Sequence, residues 1–350
     1  MNKDTIIIYG SCYGTTKTYA EELSRRLDCE AVPYEDAGDI NIYQTIIYMG
    51  GLYAGGVRGM RKTMKRLHDI SSQRILIATV GLADPENEEN IAAIRKNIKA
   101  QVSEVLAGRN FGLGGSDTLC LYTHPQGGYA AVASVSTDMI AVGQGNEYET
   151  ESLWGRAALL AAPYMGVDGM NEKGLTASLL DVDFGEEHMH TDNPDLTVTM
   201  AIRLLLDRAA TVSEAVELLR GYDIHTGHGW TQHIFVADAN GDAAVIEWHN
   251  EKMRVTESPV CTNFRMSNKT FEGNYKGACE RFDLLAEALE KQPRNTAEDS
   301  MQLLEAVKQE YADLHIFTEW SVVFHLTDFT VDYAVNMDYD TVYHLNPKDF

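Results

Sequence analysis

The chain has 350 residues, 44% hydrophobic and 23% charged, with 28 glycines and 8 prolines, which describes a folded protein and excludes disorder, collagen and coiled coil as whole-chain readings. Its 29 basic and 52 acidic residues give a formal net charge of -23, arguing against nucleic acid or an anionic membrane as partner. The length exceeds the usual one-domain range of about 100 to 200 residues, and the charge divides with it: residues 1–106 hold 13 basic and 14 acidic side chains, residues 107–350 hold 16 and 38. The longest uncharged stretch, 118–137, is broken by Pro125 and paired glycines, so no membrane span is expected. The apolar run in residues 1–9 is too short for a secretory signal, which predicts a cytoplasmic chain. Five cysteines, Cys12, Cys29, Cys120, Cys261 and Cys279, are scattered without a CxxC pair, as expected of reduced thiols rather than a disulfide frame or a zinc site.

The first third alternates strand and helix. Residues 5–9 (TIIIY), 45–49 (TIIYM) and 74–80 (RILIATV) are short apolar runs each followed by glycine, the pattern of parallel strands covered on both faces. A weaker strand falls at 30–32. Helical patterns fall at 15–27, with Tyr19, Ala20, Leu23 and Leu27 on one face, at 59–67 and at 88–106. The product is a doubly wound α/β unit, whose ligands sit beyond the carboxyl ends of the strands.

Three loops lie there. Residues 10–17 (GSCYGTTK) join strand to helix and offer hydroxyls and free N–H groups at a helix N-terminus, a combination that binds phosphate. The spacing is neither a Walker loop nor GxGxxG. With the loops 50–56 (GGLYAGG) and 79–84 (TVGLAD), residues 1–106 resemble a flavodoxin-like domain. That resemblance implies FMN, its phosphate held by Ser11, Gly14, Thr15 and Thr16, its ring flanked by the loops of Gly51, Tyr53 and Gly81, with Tyr53 placed to stack. The sheet order would be 2-1-3-4, without the fifth strand of a flavodoxin. Strand 74–80 is then an open edge, to be covered by another segment or paired in a homo-oligomer.

From residue 107 the text changes to hairpins and helix pairs. Residues 233–238 (HIFVAD), Asn240-Gly241 and 243–248 (AAVIEW) spell a hairpin. Helices are expected at 196–209, at 214–219 behind a capping box that starts at Thr211, at 278–289 and at 296–311; strands at 320–326, 330–335 and 341–345 close the chain. This predicts an α+β domain of α/β/β/α type.

Four motifs follow in order: Gly108-Arg109-Asn110-Phe111, residues 168–175 (DGMNEKGL), Cys261-Thr262-Asn263-Phe264 and Glu280-Arg281-Phe282. Together they resemble the choloylglycine hydrolase family of bile salt hydrolases, penicillin V acylases and related linear-amide C–N hydrolases, with the N-terminal-nucleophile fold. The resemblance implies a small-molecule N-acyl amide as partner and no cofactor for this part. It implies Asn263 in the oxyanion region, Arg109 and Arg281 beside the nucleophile, and Asp181 where bile salt hydrolases place an asparagine. Gly112 stands in place of an aspartate. In the family a cysteine freed at the N-terminus attacks the amide, with its own α-amine, of pKa about 7.7 to 8.0, as base. Here no cysteine lies between Cys29 and Cys120, so the nucleophile strand ahead of Arg109 is missing. Cys120 is expected to pack as a small hydrophobe, and Cys261 belongs to the family's own TN motif.

Metal is not expected: His188, His190, His225, His228 and His233 form no HExxH and read as polar surface or interior groups. Asp181 and Asp183, two apart, are expected to share one face of a strand end. Three functional readings stay open: an amide hydrolase-like cleft deprived of its nucleophile, an FMN electron carrier or oxidoreductase with an acidic ligand-binding domain, and a gene fusion in which neither activity survives.

Overall fold

The computed structural model describes residues 4–53, 56–67, 73–80, 94, 98, 105–113, 118–137, 140, 153–227, 229–267, 278–292, 295–311 and 316–349. They form two compact units, Met1–Glu104 and Val105–Phe350. Among the described residues no helix is long and apolar enough to cross a membrane.

The first unit contains β1 (Thr5–Gly10), α1 (Thr15–Leu27), β2 (Glu30–Pro33), β3 (Thr45–Tyr53), β4 (Gly56–Val57), α2 (Met60–Met64) and β5 (Arg74–Val80). β2, β1, β3 and β5 lie side by side in parallel, and β4 folds back on the end of β3. The apolar runs of β1 and β3 are continuous because both faces are buried; β5, expected to be covered in the same way, has no buried residue, and Leu76 is exposed. Ile6, Ile8, Ile46 and Tyr48 pack with Met60 and Met64 of α2; Ile7, Tyr9, Ile47 and Met49 pack with Ala20 and Leu23 of α1. Tyr19 and Leu27, expected on that buried face, are exposed, since α1 turns Thr16, Ala20 and Leu23 to the sheet. The helix expected at 59–67 spans only Met60–Met64. Of the helix expected at 88–106, Ile94 and Ile98 are helical and Leu106 begins the next strand; residues 88–93 and the others up to 104 lie outside the described residues. Among the described residues β5 pairs with β3 alone.

The second unit opens with β6 (Leu106–Leu113), β7 (Thr118–Thr123), β8 (Ala131–Ser136), α3 (Leu153–Ala158), β9 (Asp168–Asn171), β10 (Thr176–Phe184), β11 (Asp195–Thr197), α4 (Val198–Arg208), α5 (Val212–Leu219) and β12 (Asp223–His225). It continues with β13 (Trp230–Ala237), β14 (Ala243–His249), β15 (Lys252–Glu257), α6 (Ala278–Lys291), α7 (Ala297–Ala306), β16 (Glu310–Tyr311), β17 (Ile316–His325), β18 (Thr330–Val335) and β19 (Asp338–Leu345). An antiparallel sheet runs β15-β14-β13-β10-β9-β8-β7; a second contains β16, β17, β18 and β19, with β6 on β17.

Strand alternation makes four layers of these elements. Trp320, Val322 and Phe324 of β17 join the core shared with the seven-stranded sheet, while Val323 faces Met301 and Leu304 of α7. α4 and α5 cover the other face of the large sheet. The order is helix, sheet, sheet, helix, the α/β/β/α architecture; the residues ahead of β6, where a nucleophile strand would stand, lie almost wholly outside the described residues. Thr197 and Thr211 cap α4 and α5, accepting from the backbone N–H of Met200 and Glu214; each such cap contributes about 1 kcal/mol. The capping box expected at Thr211 is half made, because the Glu214 carboxylate accepts from Ala210 N instead. Residues 310–311, expected as helix, form β16, pairing with Ile316 and Phe317.

Polar groups stitch the two sheets together. Asp168 accepts from Trp320 Nε1 at 3.1 Å and lies 3.0 Å from Arg109 Nε; Ser134 Oγ and Tyr333 OH are 2.8 Å apart. Phe111 stacks on Trp320 at 4.2 Å between ring centroids.

Candidate functional site

Part of the motif at 168–175 is architectural. Asn171 Nδ2 donates to the carbonyls of Leu206 and Ala209, and its Oδ1 accepts from the N–H of Lys173 and Leu175. One side chain thus shapes the β9–β10 turn and ties it to the end of α4. Gly174 has φ +83, and a Cβ there would stand 2.1 Å from the Leu326 carbonyl oxygen, so both backbone hand and space demand glycine.

The other motifs converge. β10 carries a register shift between Asp181 and Asp183, which breaks the strict alternation expected to put the two on one face; bulges of this kind re-aim side chains beside functional sites. The Asp183 side chain lies outside the described residues. Asn263 Nδ2 donates to the Asp181 carbonyl at 2.8 Å, and Arg281 donates to Asn263 Oδ1 at 3.1 Å. Phe264, buried, meets Phe282 edge to face at 5.3 Å. The Asn263-Phe264 pair is therefore gripped by Arg281-Phe282 of α6, which explains why the two motifs occur together.

Arg109 projects from β6 toward the same place. Its guanidinium donates to the carbonyls of Leu179 at 2.6 Å and Val167 at 3.3 Å and pairs with buried Asp168. Burial pushes its pKa down, while Asp168, Asp181 and Cys261 lie close enough to oppose that shift. Arg281 is likewise pushed down by burial, against the pull of Tyr311 and Glu280. At Gly112 a Cβ would meet the Phe317 carbonyl oxygen at 3.1 Å, a tight fit for any larger residue.

Beside Asn263 lies an arrangement that the sequence did not reveal. Cys261 Sγ is 3.2 Å from His233 Nε2, and His233 Nδ1 is 3.3 Å from Glu247 Oε1. His233 and Glu247 each stand one residue past the Ile234–Ile246 pair of β13 and β14, so they are cross-strand neighbours on one face. Glu247 accepts from Met266 N at 2.8 Å and Ser267 N at 2.7 Å. A carboxylate so occupied accepts from His233 Nδ1–H and leaves Nε2 facing the sulfur. Burial alone would lower the His233 pKa, but Cys261 and Glu247 outweigh it and hold it up at about 10 rather than 6.5. For Glu247 burial acts upward and is outweighed by His233, Met266 and Ser267, holding it down at about 2 rather than 4.5. His233 is fully buried and Cys261 is half-buried. Only the period-2 placement of His233 and Glu247 around the Asn240-Gly241 hairpin was there in the sequence to find this.

Cys120, expected to be packed, is exposed on edge strand β7, with Sγ 4.0 Å from Tyr333 OH. His188 and His225 meet with their Nδ1 atoms 3.1 Å apart, the His190 ring lies 5.6 Å from that of His225, and His228 lies outside the described residues. Among the described residues one set, His325, Asp332 and His344, brings metal-ligand atoms within 4.8 Å of one another; both imidazoles are hydrogen-bonded to the carboxylate.

In the first unit the loop after β1 is presented at the N-terminus of the 13-residue helix α1. Gly14 has φ +87 and donates to Ser11 Oγ at 3.0 Å, an acceptor role that leaves the Ser11 O–H free to donate. Thr15 is exposed, but Thr16 is 4% exposed, so Thr16 offers a phosphate its backbone N–H rather than the hydroxyl read from the sequence. Gly51 is buried beside Val80. The Tyr53 side chain and Gly81 lie outside the described residues. The exposed loop fits a phosphate group in hydroxyls, amides and helix polarity.

Residues 160–328 match the family model of acyl-coenzyme A:6-aminopenicillanic acid acyl-transferase, and residues 6–116 match that of a flavodoxin domain. The flavodoxin match runs on over β6, which pairs within the second unit. Among solved structures the chain is similar to a mutant conjugated bile acid hydrolase from Clostridium perfringens, with TM-score 0.49 and 15% identity over 70% of this chain and 89% of that one. It is also similar to penicillin V acylase from Agrobacterium tumefaciens, with TM-score 0.49 and 19% identity over 69% and 88%. No curated protein matches the chain. One polypeptide thus carries a match to the acyl-transferase model and a match to the flavodoxin model.

Proposed function

We propose that the second unit binds a linear N-acyl amide of the kind cleaved by bile salt hydrolases and penicillin V acylases, with hydrolysis impaired because no N-terminal cysteine serves the site. The observation that carries this reading is the clamping of Asn263 between Arg281 and the Asp181 carbonyl, beside Cys261. Asn263 Nδ2 has a second hydrogen to give to an acyl carbonyl, and Arg281 supplies the cationic fork that suits the carboxylate of a conjugate or product. Arg109 acts from behind, holding the start of β9 and the middle of β10 through the Val167 and Leu179 carbonyls. Calorimetric titration of the full chain with a panel of N-acyl amides, glycine-conjugated bile salt and penicillin V among them, tests it. Binding that weakens in Arg281→Ala and persists in Cys120→Ala is expected; no binding across the panel would refute it.

We infer further that the first unit binds FMN through the Ser11, Gly14, Thr15 and Thr16 loop, with the loops of Gly51, Tyr53 and Gly81 at the ring. FMN, when bound, supplies electron transfer, and an electron carrier with an acidic ligand-binding domain is the second reading. The exposed loop at the start of α1, with Gly14 at positive φ, favours it. The visible absorption of chain equilibrated with excess FMN and desalted is the test.

A further inference from the structure

The structure places a thiol, an imidazole and a carboxylate in hydrogen-bonded succession, Cys261 Sγ, His233 and Glu247, at the Asn263 clamp. We propose that Cys261 is an internal nucleophile that takes the acyl group of a linear acyl donor as a thioester, with His233 as its base and Glu247 as the positioning residue. The acyl-donor class rests on the amide reading above; the reactive thiol does not.

Four observations carry it. The sulfur and Nε2 are within hydrogen-bond reach, and the imidazole is oriented from its other nitrogen, the arrangement by which a base activates a nucleophile. Glu247 is fixed by two backbone N–H groups rather than by solvent, so the tautomer with Nε2 toward sulfur is built in. His233 is fully buried while Cys261 is half-buried, so the sulfur is the more accessible of the two and the base is approached from the sulfur side. Among the described residues, Arg109 from β6 feels the charge of Cys261 and of Asp181 from β10, and Glu247 from β14 pairs with the base. Beside this geometry, Cys261 and Glu247 hold the imidazole protonated against its own burial.

The step balances on these atoms. The thiol proton passes to His233 Nε2, and the sulfur attacks the acyl carbon. The bond from that carbon to the leaving amine nitrogen or alkoxide oxygen breaks, and the leaving group takes the proton from Nε2. The Cys261 thioester is then cleaved by water, His233 taking the water proton and returning it to the sulfur, with a carboxylic acid released. Nothing is oxidised or reduced.

The test uses the full chain and a p-nitrophenyl ester of a medium-chain acid. A burst of one equivalent of p-nitrophenolate, with one acyl mass on the peptide holding Cys261, is expected in wild type and absent in Cys261→Ala. Iodoacetamide then reads the pair directly. At pH 6 the alkylation of Cys261 in His233→Gln should be at least about tenfold slower than in wild type, with the two rates converging at pH 9, because an unpaired thiol is mostly protonated at pH 6. Glu247→Gln should fall between them, a pH-dependent change that a merely structural role would not produce. If either variant fails to fold, the wild-type peptides decide: Cys261 must outpace exposed Cys12 and Cys120 at pH 6. Acylation that persists in Cys261→Ala, or equal alkylation of the three thiols at pH 6, overturns the proposal. Ester acylation of Cys261 in a chain that binds no N-acyl amide would sink the amide reading and leave the nucleophile standing.

Discussion

Asn263 and Arg281, 18 residues apart, are joined by a 3.1 Å hydrogen bond from guanidinium to amide oxygen, and through it the loop after β15 and helix α6 form one surface. A hydrogen bond to a charged group contributes about 1.5 to 3 kcal/mol. Arg281→Ala should therefore weaken binding of an N-acyl amide by about 10- to 150-fold, while the Phe264–Phe282 contact keeps the fold. Calorimetric titration against thermal melting separates the two effects; equal affinity in the variant would mean that Arg281 only props Asn263.

The buried His233–Glu247 pair makes stability depend on pH in two directions. His233 is raised in the fold from 6.5 to about 10, so its contribution is complete below 6.5 and is lost as pH rises through about 10. Glu247 is lowered from 4.5 to about 2, so its contribution is complete above 4.5 and is lost as pH falls through about 2. Glu247→Gln, which leaves a buried charge without its partner, should cost about 3 to 5 kcal/mol near pH 6. Urea unfolding across pH 3 to 10 should show the gap between wild type and variant closing at both ends.

Gly174→Ala is expected to destabilise the second unit, because the added carbon would stand 2.1 Å from the Leu326 carbonyl oxygen at φ +83. Left-handed backbone alone costs a non-glycine residue about 1 to 3 kcal/mol, and the clash adds to it. Gly127→Ala, also at positive φ but with open space around it, gives the strain alone. Denaturant midpoints of the two variants separate strain from clash.

How much of this was legible follows from which forces are local. Parallel strands announced themselves because Ile6 to Tyr9 are buried on both faces, and the hairpin of β13 and β14 because Asn240-Gly241 forces its turn. Tyr19 and Leu27 misled: apolar spacing marks a helix but does not say how far its covered face extends. The β16 segment was read as helix because the pairing that makes it a strand comes from β17, five residues further on. The motif resemblance implied Asn263, Arg109 and Arg281 as site residues but not their contacts; the meetings of Asn263 with Arg281 and of Cys261 with His233 are tertiary, 18 and 28 residues apart in sequence, and no local pattern encodes them.

In the first unit FMN should be retained on desalting with a flavin spectrum. Ser11→Ala, which removes one phosphate donor and the acceptor of the Gly14 N–H, should weaken retention by about tenfold or more. Fluorescence titration measures it, and no flavin uptake at millimolar FMN would rule out the cofactor. The single partner of β5 among the described residues also predicts a concentration-dependent dimer through that edge, visible by sedimentation.

The most direct test of the account is steady-state cleavage of an N-acyl amide by wild type, Cys261→Ala and Cys120→Ala. Slow turnover that falls to the buffer rate in Cys261→Ala and is unchanged in Cys120→Ala is expected. Turnover that survives the loss of Cys261 would contradict it.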